Sequence, residues 1–132
     1  MSLAAIQIAL HDQRGRTLCK FWKQTRFDRQ GRPTEIEPWT LTAKPMSGKE
    51  LDHERPVPAA NIAPIRLRRH SDGADYLEVP GLIARWSKVQ PALDGIARRL
   101  GLLDAAGAVV RDDMAAATIT VDVLQHHIGS KC

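Results

Sequence analysis

The stretch Leu3-Ala-Ala-Ile-Gln-Ile-Ala-Leu10, His11-Asp-Gln-Arg-Gly-Arg16, Thr17-Leu-Cys-Lys-Phe-Trp-Lys-Gln-Thr25 decides the fold. Its first part is short, apolar and β-capable; its middle contains Gly15 and reads as a turn; its last part alternates around two aromatic residues. Two such runs joined by a turn predict a β-hairpin. Outward from it, Phe27–Pro33 reads as a second turn and Glu35–Ala43 as a third strand, made an edge or split by Pro38. Ile65–Arg69 and Ala74–Val79, joined through Ser71-Asp72-Gly73, predict a second hairpin. From Leu82 the apolar spacing changes. Leu82, Ile83, Trp86 and Val89, continued by Leu93, Ile96, Leu100 and Leu103, lie on one helical face. Pro91 interrupts that run, so the helix is expected to kink or restart there, and Gly101 is its stop. Residues 114–128 fit either period; the β-branched Thr118–Val121 favours a strand from about Thr118 to Leu124, after a turn capped by Asp112 and Asp113.

The fold class expected is therefore α+β. A mostly antiparallel sheet of about five or six strands would carry one long or kinked helix on one face, burying Leu82, Ile83, Trp86, Leu93, Ile96 and Leu100. At 132 residues a single domain is expected over 1–132. Its parts are a β-rich segment of about 1–45, a proline-rich loop of about 44–64, and a hairpin, helix and C-terminal strand over 65–128. No run approaches eighteen apolar residues, so no spanning helix is expected. The N-terminus lacks a secretory pattern, and two Cys make no disulfide framework; a cytoplasmic protein is the expectation.

Charge is uneven. Nineteen Lys and Arg against fifteen Asp and Glu give +4. Between residues 11 and 33, Arg14, Arg16, Lys20, Lys23, Arg26, Arg29 and Arg32 face only Asp12 and Asp28. Concentrated cations hold phosphates, and an aromatic such as Trp22 among them can stack on unpaired bases. Arg66, Arg68 and Arg69 form a second basic patch. Nucleic acid, DNA in particular, is the partner this pattern predicts, bound through its backbone. The leading expectation is a small basic DNA-associated protein of phage or mobile-element origin.

Chemistry-bearing motifs are sparse. Asp94–Asp113 reads as a helix-turn-helix, yet its second half, Asp104-Ala-Ala-Gly-Ala-Val-Val-Arg111, offers a single Arg to base edges. His126, His127 and Cys132 do not have closing metal-ligand spacing, so no metal ligands are assigned. Cys19 reads as a strand residue, and no Gly-rich phosphate loop is present.

Strand Ile65-Arg-Leu-Arg-Arg69, helix Leu93-Asp-Gly-Ile-Ala-Arg-Arg-Leu-Gly-Leu102, then Arg111-Asp112-Asp113 and a β-branched strand resemble the core of RusA-like Holliday-junction resolvases. That family keeps an acidic helix start, a basic residue one turn on, and an Asp-Asp pair about eighteen residues later. Here Asp94, Arg98 and Asp112-Asp113 stand at those places. The resemblance implies a Mg²⁺-dependent endodeoxyribonuclease of branched DNA with Asp94, Asp112 and Asp113 catalytic, since clustered carboxylates hold the metal that activates water. The chain departs from the family where Gly95 replaces its Asn and Arg98 its Lys. Trp39–Leu51 in turn looks like the middle of small phage head–tail connector proteins. With the Pro-rich segment Lys44–Pro64, which can wrap a protein partner, it motivates a third expectation: a structural or interaction protein, such as a connector or an inhibitor of a host complex.

Overall fold

A computed structural model describes residues 2–42 and 66–129. The chain runs β1 (Ser2–His11), β2 (Thr17–Phe27), β3 (Pro33–Ile36), β4 (Thr40–Thr42), β5 (Arg66–Arg69), β6 (Asp75–Val79), β7 (Leu82–Arg85), α1 (Trp86–Arg99), β8 (Asp113–Thr120) and α2 (Val121–Gly129). Both predicted hairpins form, and the ladders are mostly antiparallel. The first sheet has the order β3-β2-β1-β8, with β4 also pairing β2; the second has the order β5-β6-β7. One pair, β1 with β8, is parallel. Such a pair needs a long crossover, and the second sheet and α1 lie within it. The predicted Lys44–Pro64 loop lies outside the described residues.

One turn recurs. Asp12, Asp28 and Asp104 each accept, on Oδ1, the backbone N–H groups two and four residues on, all at 2.9 Å. In each, the glycine three residues on donates its N–H to the Asp carbonyl at 3.0 Å. Gly15, Gly31 and Gly107 have φ of 83°, 81° and 92°, a left-handed region that costs other residues a Cβ clash. Asp-x-x-Gly-x is thus a hairpin turn written in the sequence. His70–Ala74 repeats its backbone bonds with Gly73 in the same role.

The third of these turns corrects the helix-turn-helix expectation. Asp104–Arg111 is no helix; a bridge joins Leu103 to Val109 across the turn. Pro38 does split the third strand. The chain leaves the ladder at Glu37–Trp39 and buries the Trp39 ring.

The helical part departs from expectation in four ways. Leu82–Arg85 is a strand, because four residues pairing with β6 satisfy more backbone than a free helix start would. Its alternation buries Leu82 and turns Ile83 outward, 64% exposed. Helix α1 starts at Trp86 and runs through Pro91 instead of restarting there. It ends in a Schellman motif: Leu102 N–H bonds Ala97 O, Gly101 N–H bonds Arg98 O, and Gly101 has φ 74°. Leu100, the C-cap, is therefore half-exposed rather than core. Lastly there are two helices, of 14 and 9 residues, in place of one long one. Thr120 caps the second, its Oγ1 accepting the Val123 N–H at 3.2 Å, and Asp122 sits in the positive first turn.

Buried residues of both sheets and both helices form one cluster, including Ile6, Ile8, Leu10, Phe21, Trp39, Leu77, Val89, Leu93 and Leu124. Among the described residues no helix is long and apolar enough to cross a membrane.

Candidate interaction surface

The predicted cations do not gather. Arg16 pairs with Asp12 at 2.8 Å and Arg32 with Asp28 at 3.1 Å, each inside its own turn. Arg26 pairs with Glu35 and Glu37. Lys23 is buried, its Nζ 3.1 Å from Asp94 Oδ1 and over the Trp39 ring. Among the described residues this leaves Arg14, Lys20 and Arg29 of the seven without a carboxylate partner. Arg14 lies in the first turn and Arg29 in the second. These turns stand at opposite ends of an eleven-residue strand, roughly 35 Å apart at ~3.3 Å per residue. In the second patch Arg68 pairs with Glu78 and Arg69 with Asp75; Arg66 is described as a strand residue opposite Glu78. Local turn chemistry explains this dispersal: an Asp-x-x-Gly-Arg turn brings its own acid to its own base.

Trp22 lies on the face of β2 away from the core. Alternation buries Phe21 on the core side of β2 and puts Trp22, half-buried, on the other, with Lys20 on the same side.

The three carboxylates are engaged separately. Asp94 Oδ1 accepts the Trp39 indole N–H at 2.7 Å as well as the Lys23 ammonium. Asp112 accepts the Ala5 N–H at 2.7 Å, tying β8 to β1. Asp113 accepts the Ala115 N–H and lies 3.8 Å from Arg111. Among the described residues no group of three or more His, Cys, Asp or Glu could hold a metal ion. Asp112 and Asp113 thus fix the start of a strand instead of capping a turn before it.

What the sequence reading missed lies at β8. Among the described residues this strand ends the first sheet, and β1 alone pairs with it. Among the described residues, other edges carry the usual guards against stray pairing: Pro33 and Glu35 on β3, Arg68 and Arg69 on β5, and three or four residues in β4 and β7. Strand β8 is eight residues long and has no charge from Met114 to Thr120. Its regular ladder with β1 covers Ala117–Thr120, after an irregularity at Met114–Ala116. Beside it opens a largely apolar cleft of about 370 Å³, lined by Ile96, Leu100, Ala117, Ile119 and Val123, with Arg99 and His127 also on its wall. Leu100, Val110, Met114 and Val123 are all exposed by 40% or more. Of these, Leu100 and Val123 line the cleft and Met114 is on β8. The uncharged run was visible in the sequence; its place at a sheet edge was not.

No family model matches this chain. No curated protein and no solved structure matches it either.

Proposed function

We propose that this protein is an interaction module that accepts an extended segment of a protein partner as an added strand on β8. One observation carries the reading: an uncharged strand, paired on one side among the described residues, lies beside an apolar cleft. Strand addition draws affinity from main-chain hydrogen bonds and specificity from pockets for alternate side chains. Here Ala117–Thr120 offers the first and the Ile96–Leu100–Val123 cleft the second. A connector or an inhibitor of a host complex would work in this way, and the reading does not depend on Lys44–Pro64.

A displayed heptapeptide library, panned against the chain, tests it. Enriched peptides should alternate apolar residues, and their binding should weaken at least tenfold on Thr118→Lys or Val123→Glu, both at exposed positions. No enrichment, or binding indifferent to both variants, refutes it.

A second reading, binding of single-stranded DNA, keeps the support of Trp22 and Lys20 on one face of β2. Base stacking is worth about 1–3 kcal/mol per base by alanine substitution, so Trp22→Ala should cost most of any affinity for an oligothymidine. That affinity should also fall steeply with salt; absent binding at low salt ends this reading. Branched-DNA cleavage with Mg²⁺ gains no support from acids held in three separate contacts.

A further inference from the structure

We infer that the strand added to β8 comes from a second copy of this chain, β8 against β8 about a two-fold axis. The inference rests on the strand-addition reading above and names its partner. A two-fold contact puts the same patch on both subunits, so the patch must complement itself. Edge β8 does. No charge lies between Met114 and Thr120, so identical edges meet without like-charge repulsion. With Thr118 on the axis, it faces its own counterpart and Ala117 faces Ile119; Thr–Thr and apolar cross-strand pairs are among the favourable ones.

Charge also selects the direction. Arg111, largely exposed, precedes the strand, and Asp122, exposed, follows it. A parallel pairing would bring Asp122 beside Asp122 and Arg111 beside Arg111. An antiparallel pairing turns the Arg111 end of each copy toward the Asp122 end of the other. The side chains beside the strand point the same way: Leu100 and Val123, which line the cleft, and Met114 of β8 are exposed on each copy.

Sedimentation of the full chain over a dilution series tests this, with circular dichroism confirming that each variant is folded. The expected result is a dimer of twice 14.6 kDa, weakened at least tenfold by Thr118→Lys, which sets two ammonium groups face to face, and by Val123→Glu on α2. Amide exchange should slow at 117–120 on dimerisation. Panning for the strand-addition reading is done at a dilution where the chain is monomeric, so the two claims separate. A chain that stays monomeric at all concentrations yet captures heptapeptides through Thr118 overturns the self-pairing and leaves the parent reading intact. A dimer unchanged by both variants overturns the self-pairing, since the copies then meet elsewhere. A monomer that captures no peptide overturns both.

Discussion

Removing the Asp94 carboxylate separates a structural role from a catalytic one. Its Oδ1 receives two donors, the Trp39 indole N–H at 2.7 Å and the Lys23 ammonium at 3.1 Å. Lys23 is only 5% exposed, so Asp94→Ala strands a buried cation. Breaking a fully buried pair costs about 3–5 kcal/mol. The Asp94 side chain is 27% exposed, and water reaching that side screens the loss; about 2–4 kcal/mol is expected. Chemical denaturation should show a lower midpoint at unchanged slope, and the melting temperature should fall by roughly 10 °C or more. The rescue is sharper than the loss. Lys23→Met in the Asp94→Ala background removes the orphaned charge and should recover much of the stability, because replacing both partners with apolar groups is often near neutral. A loss under about 1 kcal/mol, or a double variant no better than Asp94→Ala alone, would refute the assignment.

Three smaller tests address the frame. The Cys19 thiol is pushed up to about 12 by burial; in a Cys132→Ser chain it should react with a disulfide reagent at neutral pH only as fast as the protein opens, and prompt labelling of native protein would contradict that. Backbone N–H bonds from Arg16 and Arg32, respectively, lead in holding the Asp12 and Asp28 carboxyls below their ordinary 3.8. A depressed folded value means the turns' contribution is complete above 3.8 and is lost as pH falls through the lower folded value; carboxyl carbon titrations with midpoints at or above 3.8 would show the sign is wrong. Gly101 has φ 74° and open space around its Cβ position, so Gly101→Ala should cost roughly 1–2 kcal/mol from backbone strain alone, and a neutral result in thermal denaturation would remove the helix stop from its stated role.

The features legible in the sequence were those decided within a few residues. The first hairpin, the split at Pro38, the second hairpin and the Gly101 stop each rest on local turn or cap chemistry. The misreadings fall where two periods coincide. Leu82-Ile83 suits a helix face, but pairing with β6 makes it a strand. Met114–Ile128 fits both periods because it is both: a strand to Thr120, then a helix whose Thr120 cap and Asp122 first turn mark the switch.

Charge was legible as a total and not as a surface. Seven cations in one segment read as a patch only if nothing nearby answers them, and the Asp-x-x-Gly-Arg turns answer two of them four residues away. Buried Lys23 lies beyond any local rule, since its acid is 71 residues off. The same limit hid β8. Whether a strand ends a sheet depends on what lies beside it, and no spacing within Asp113–Thr120 encodes that. Once the order is known, the composition of each edge becomes informative: β3 and β5 carry the charges and proline that discourage pairing, whereas β8 carries small and apolar residues. Among the described residues β8 is the edge that lacks these guards, and the strand-addition proposal rests on that contrast.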